Sequence, residues 1–196
     1  MTLAAIHPTL SLDQWHRYWL GDRELQGVTA ALKAADLIET EYFTEAAMRR
    51  GTYVHAACCL IDDGTFGSAD PALAGYVAAY ECFLREAQPD LAFIEHRVCD
   101  PTLGYAGTLD RLGFLNGKWA LIDLKTGGAA AWHALQTAAY ARLMPHATGL
   151  KPDRYGLYLR TDATYRLEPF ADRTDEAVFL AALRVAQWKG MHGIGC

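Results

Sequence analysis

The chain has 196 residues, a mass of 21.6 kDa, 52% hydrophobic and 21% charged residues. That composition lies near the soluble globular average and excludes disorder, collagen-like repeats and coiled coil as whole-chain descriptions. The net charge of −5 excludes a wrapper that binds nucleic acid by bulk positive charge. It does not exclude nucleic acid as a substrate, because carboxylates that hold metal count toward the total.

The length suits one domain over residues 1–196, with a helical layer over 1–90 and a sheet core with flanking helices over 91–196. The segment Met1 to Leu20 lacks the basic and apolar regions of a signal peptide. No apolar run reaches the roughly 18 residues of a membrane span. The cysteines are Cys58, Cys59, Cys82, Cys99 and Cys196, an odd count without a C-x-x-C pair. Reduced thiols in a cytoplasm fit this better than a disulfide framework or a zinc site.

The N-terminal third reads as helical. Ser11 is placed as the cap of a segment through Leu20, Thr29 of one through Ile38, and Thr44 of a helix from Glu45 to Leu60. Asp62-Asp63-Gly64 reads as a turn. Pro71 suits the first turn of a helix that runs to Gln88. The period then changes. Ala92–Cys99, Ala106–Leu115 and Lys118–Lys125 read as strands, the last two joined by Asn116-Gly117. That dipeptide between apolar runs is a strong hairpin signal, because a type I′ turn needs positive φ at both central positions. Ala129–Leu143 reads as a helix ended near Pro145, Tyr155–Thr161 and Thr164–Pro169 as a second hairpin, and Thr174–Lys189 as a closing amphipathic helix. The order predicts an α/β or α+β domain with a mixed central sheet flanked by helices.

The Asn116-Gly117 hairpin concentrates the chemistry. A two-residue turn pairs Leu115 with Lys118, and counting back along both strands sets Asp110 opposite Asp123. Their Cβ atoms would stand roughly 4.5–5.5 Å apart. Lys125 follows two residues after Asp123 and shares its face. Two like charges so close on a half-buried sheet need an offset, either a shared proton or a divalent cation. Carboxylate oxygens completed by waters and phosphate are what Mg²⁺ selects. The competing reading is a solvated hairpin on which Lys125 pairs with both acids. The apolar run Leu121-Ile122 leading into Asp123, and the glycines Gly107, Gly127 and Gly128 around the cluster, favour the site.

Gly107-Thr108-Leu109-Asp110-Arg111, Ile122-Asp123-Leu124-Lys125-Thr126, and Gln136 with Tyr140 resemble the PD-(D/E)xK nuclease superfamily, in its RecB-like and phage-type exonuclease branch. Upstream, Arg50-Gly51-Thr52-Tyr53-Val54-His55 resembles the helical Gly-x-x-x-His element of that branch. The resemblance spans about Arg49 to Tyr140. It implies a restriction-endonuclease-like core with an N-terminal helical layer, and a metal-dependent DNA exonuclease of phage or prophage recombination or DNA-end processing.

Carried over by residue, Asp110 and Asp123 would be metal ligands, completed by the Leu124 carbonyl, and Lys125 the catalytic lysine with an electrostatic and positioning role. His55 would approach the metal from the helical layer; its other reading is a hydrogen-bonded core histidine. Glu95 would supply a further acid, or pair with His96 or Arg97 at the surface. Gln136 and Tyr140, four apart on one helix face, would contact DNA or support the lysine; the other reading is a half-buried helix packed on the sheet with Tyr140 as core. Arg50, Arg111 and Trp132 are candidate DNA contacts; the other reading of Trp132 is a ring packed against the sheet. Mg²⁺, with Mn²⁺ as substitute, is the implied cofactor. DNA is the implied partner, with a single-strand annealing or other recombination protein beside it. Only Cys196 follows the core, so the iron–sulfur cluster of some relatives lacks its ligands. An endonuclease of the same superfamily and a non-catalytic DNA-binding module on a nuclease-derived fold remain as alternatives. Nothing in the sequence identifies a subunit interface.

Overall fold

A computed structural model describes residues 9–39, 44–148 and 151–194. Strands β1 (Leu10–Leu12), β2 (Tyr18–Leu20) and β3 (Arg23–Gly27) lead into helix α1 (Val28–Ala34). Helices α2 (Glu45–Asp62) and α3 (Ala74–Ala87) follow, then strands β4 (Asp90–Asp100), β5 (Tyr105–Leu115) and β6 (Lys118–Lys125). Helix α4 (Trp132–Thr148), strands β7 (Asp153–Leu159) and β8 (Tyr165–Pro169), and helix α5 (Asp175–Met191) complete the order.

The helical reading of Ser11–Leu20 is overturned. Ser11 lies within β1, and β1–β2–β3 form an antiparallel meander. The Asp13 side chain decides this: it accepts hydrogen bonds from the N–H groups of Trp15 (2.9 Å) and Arg17 (3.0 Å). Such an Asx turn satisfies backbone donors without a helix. Gly21 then opens the next tight turn at φ 59°. The layer over 1–90 is therefore part sheet. Thr29 caps no helix either: it lies inside α1, which starts after Gly27 and ends at Ala34, short of Ile38; the remaining elements fall close to expectation. Thr44 caps α2 by accepting from the Ala47 N–H at 3.1 Å. Asn116 and Gly117 turn at φ 50° and 74°. Helix α4 continues through Pro145, where a break was expected.

The eight strands form one mixed sheet in the order β1-β2-β3-β5-β6-β7-β8, with β4 along β5. Helices cover both faces. One core packs Leu109, Leu112 and Leu121 against Val28 and Leu32 of α1, Tyr140 of α4 and Phe179 of α5. The other packs Ile122, Leu124 and Leu157 against Val54 and Cys58 of α2 and Tyr80 and Phe83 of α3. Strand β6, buried on both faces, is accordingly an almost unbroken apolar run.

The pairing of β5 opens the sheet. One edge of β5 bonds β4 from Tyr105 to Phe114. The other edge bonds β3 at Tyr105 and Ala106, and β6 from Arg111 to Leu115. Between them, Gly107 to Asp110 face a seam where β6 has peeled away. The two-residue alternation also shifts there. Leu109 and Leu112, three apart, face the same core, as do Phe93 and Val98, five apart. Glu95, on β4 beside this shift, has the left-handed φ of 46°. For a non-glycine strand residue that conformation is strained, and such strain clusters at functional sites.

Candidate active site

The hairpin register runs as counted from Leu115↔Lys118 to Arg111↔Ile122, and Asp110 and Asp123 stand one step beyond. Both are buried. At the seam the Asp110 carboxylate bends to β6, where its Oδ2 accepts from the Leu124 N–H at 2.6 Å. Its Oδ1 lies 3.6 Å from His55 Nδ1. The Glu95 Oε1 lies 3.5 Å from the same nitrogen. One ligand atom each from His55, Glu95 and Asp110 thus fall within 4.8 Å of one another. His55 Nε2 sits 3.2 Å from the Leu124 carbonyl oxygen, so the ring is held at both nitrogens.

The charges within this cluster are interdependent. Burial opposes the imidazolium of His55, but the Asp110 and Glu95 carboxylates outweigh it and push its pKa up to about 9. Burial, together with the negative charge of Asp123, raises Asp110 to about 6, against the pull of His55 and Lys125. Burial also works against ionised Glu95, yet His55 and Arg111 leave its pKa below the ordinary value. In the metal-free protein, His55 therefore carries the positive charge that balances two acids. One imidazole nitrogen with carboxylate oxygens is a donor set that could hold a divalent cation.

Asp123 and Lys125 form the other half. The Lys125 ammonium contacts the Asp123 carboxylate as an ion pair and donates to Gln136 Oε1 at 3.0 Å. Gln136 in turn donates to the Tyr140 hydroxyl at 3.2 Å. The Trp132 ring centroid lies 5.4 Å from Lys125 Nζ. Helix α4 thus anchors the lysine through an amide, an aromatic face and a hydroxyl relay. Tyr140 passes so close over the β5 backbone that a Cβ on Gly107 would overlap its ring.

Among the candidate DNA contacts, Arg111 is 1% exposed and makes its bonds inside the protein, so it reaches no ligand at the surface. Arg50 is half-buried with its guanidinium 5.8 Å from the Tyr76 ring centroid. Trp132 is half-buried against the first core. Cys196, on which the iron–sulfur argument turned, lies outside the described residues.

The sequence reading missed three groups. Asp62, read as part of a turn, ends α2 and pairs with Arg111 at 2.7 Å. Tyr18 on β2 hydrogen-bonds Thr108 at 2.9 Å, two residues from Asp110. His133 Nδ1 sits 2.9 Å from the Tyr158 hydroxyl, beside Lys125 in the register β6↔β7. A signal for Asp62 was present: an arginine in a strand buried on both faces requires an internal acid.

No family model matches the chain, and no curated protein does. Solved structures do. A "putative exonuclease" from Eubacterium rectale aligns with a TM-score of 0.57 at 14% identity, covering 84% of this chain and 82% of that one. The two share a fold. A structure described as SSO0001 (TM-score 0.43, 15% identity, 83% and 74% covered) and an alkaline exonuclease from Laribacter hongkongensis (0.36, 17%, 83% and 91%) align too loosely to carry an argument. Among the described residues, no helix is long and apolar enough to cross a membrane.

Proposed function

We propose that the protein is a metal-dependent DNA exonuclease of the PD-(D/E)xK superfamily. The observation that carries this is the His55–Glu95–Asp110 cluster, with the Asp123–Lys125 ion pair on the neighbouring strand β6. The fold shared with the Eubacterium rectale protein and the ordered motifs from Arg50 to Tyr140 support it.

His55, Glu95 and Asp110 would hold Mg²⁺ or Mn²⁺, with Asp123 and the Leu124 carbonyl across the seam. A bound ion would supply Lewis acidity to the scissile phosphate and to the attacking water. Asp110 is kept in place by the Leu124 N–H, so it need not reorganise when charge develops. As a ligand His55 would be neutral, its balancing positive charge replaced by that of the ion. Lys125 places an ammonium beside the reacting phosphate, where it orients the attacking water and stabilises negative charge. Gln136 fixes the direction of that ammonium, and the Trp132 ring centroid lies 5.4 Å from it as a cation–π partner.

End-labelled single- and double-stranded DNA with Mg²⁺, Mn²⁺ or a chelator tests the reading. Release of nucleotides from ends with either metal, and none with the chelator, is expected. A covalently closed circle should survive; its cleavage would replace the exonuclease by an endonuclease. Binding without hydrolysis under every divalent metal would reduce the protein to a DNA-binding module. We place it in the cytoplasm, in DNA-end processing or recombination of the phage type. The ordered motifs and the cysteines without a disulfide-forming pattern support this.

A further inference from the structure

Among the described residues Arg111 is the largest fully buried side chain, and its guanidinium is shared among five groups. Its Nε lies 2.7 Å from Asp62 Oδ2 and donates to the Tyr80 hydroxyl at 3.1 Å. Tyr80 donates to Asp62 Oδ1 at 2.7 Å, closing a buried triad between α2, α3 and β5. One terminal nitrogen donates to the Asp110 carbonyl oxygen at 2.8 Å and to Glu95 Oε1 at 3.2 Å. The other reaches the Cys59 sulfur at 3.6 Å.

Stability alone does not account for this arrangement. A buried ion pair is commonly replaced by apolar residues without loss, because its desolvation cancels the attraction. What apolar residues would not do is hold Glu95. That side chain is 36% exposed, and its left-handed backbone leaves it no regular ladder partner at the strand. Its inward contacts are His55, Cys59 and Arg111. The same Arg111 nitrogen grips the main chain of Asp110, so one fork sets two of the three members of the cluster. Outer-shell donors of this kind orient ligands and tune their affinity.

We propose that Arg111 is a positioning residue that aims Glu95 and Asp110 at the divalent cation, tied through Asp62 and Tyr80 to the helical layer, and that it makes no contact with DNA. This rests on the reading of His55, Glu95 and Asp110 as cation ligands.

The test is Mn²⁺ affinity of the full chain, by titration calorimetry and by loss of the free-ion paramagnetic resonance signal. Arg111→Lys keeps the charge and loses the fork; its Kd should rise about 10- to 100-fold. Combined with Glu95→Gln, it should add less than it costs alone, because both remove one interaction. DNA affinity in chelator, by fluorescence anisotropy, should match the wild type. If Arg111→Lys does not fold, Asp62→Asn with Arg111→Met removes both buried charges and should show the same weakened Kd. Wild-type Mn²⁺ affinity in either folded variant, additivity with Glu95→Gln, or weaker DNA binding in chelator overturns the proposal. A wild-type protein that binds no Mn²⁺ overturns instead the metal-site reading beneath it.

Discussion

The carboxylate of Asp110 takes a 2.6 Å hydrogen bond from the backbone N–H of Leu124. The acid of one strand is thereby stitched to the strand that carries Asp123 and Lys125, across the point where their ladder ends. The bond fixes the two strands relative to each other at that point, as preorganised catalysis requires.

Lys125→Ala should lower hydrolysis by about 10²–10³-fold, the typical cost of one charge-stabilising donor. It should also lower the melting temperature, because Asp123 is then a buried carboxylate without its partner. Asp123→Asn combined with Lys125→Met should recover much of the melting temperature and remain inactive. Nuclease assays and thermal melts on the same preparations check both. Wild-type rates in Lys125→Ala would defeat the proposed mechanism.

Gly107→Ala should destabilise the fold by about 1–3 kcal/mol through overpacking, because the new Cβ meets the Tyr140 ring. Tyr140→Ala should relieve that clash, so the double variant should lose less than the two single losses together. Urea denaturation of the four proteins gives the answer; simple additivity would mean that the ring and the strand do not touch.

His133 should make the protein acid-sensitive. Burial, with Lys125 nearby, lowers its pKa to about 3, while the unfolded chain returns it to its ordinary value of 6.5. Below pH 6.5 the unfolded state binds a proton that the folded state refuses. The contribution is complete above pH 6.5 and is lost as the pH falls toward 3, at about 1.4 kcal/mol per pH unit. Between pH 7 and pH 5 the wild type should therefore lose about 2 kcal/mol more than His133→Gln. Denaturation curves at the two pH values measure this difference, and equal losses would contradict it.

Tyr18→Phe should cost about 1 kcal/mol, the net worth of its hydrogen bond to Thr108. Because that bond docks the N-terminal meander beside Asp110, amide exchange in Leu10–Gly27 should quicken more than in β5. Uniform change across the chain would place the effect in global stability instead.

The legible parts of the fold share one property: their signals are local. Asn116-Gly117 needs only its own backbone to turn, and from that turn the register follows to Ile122. Thr44 caps α2 with an atom three residues away from its donor. The strands β1 and β2 were illegible because each is three residues long, and an Asx turn at Asp13 held the signal that a helical reading of the segment overlooked.

The amino-acid sequence by itself determined the hairpin, the placing of Asp123 and Lys125 on one face, and the α4 spacing that brings Gln136 and Tyr140 together, because strand and helix periods are properties of the chain. Only the tertiary structure decided that Asp110 turns toward His55, that Glu95 joins them from a strained backbone, and that Arg111 lies inside rather than at the surface. Those outcomes depend on where β6 leaves β5 and on charges brought together from distant segments, and burial makes each charge's state depend on partners that no local pattern specifies.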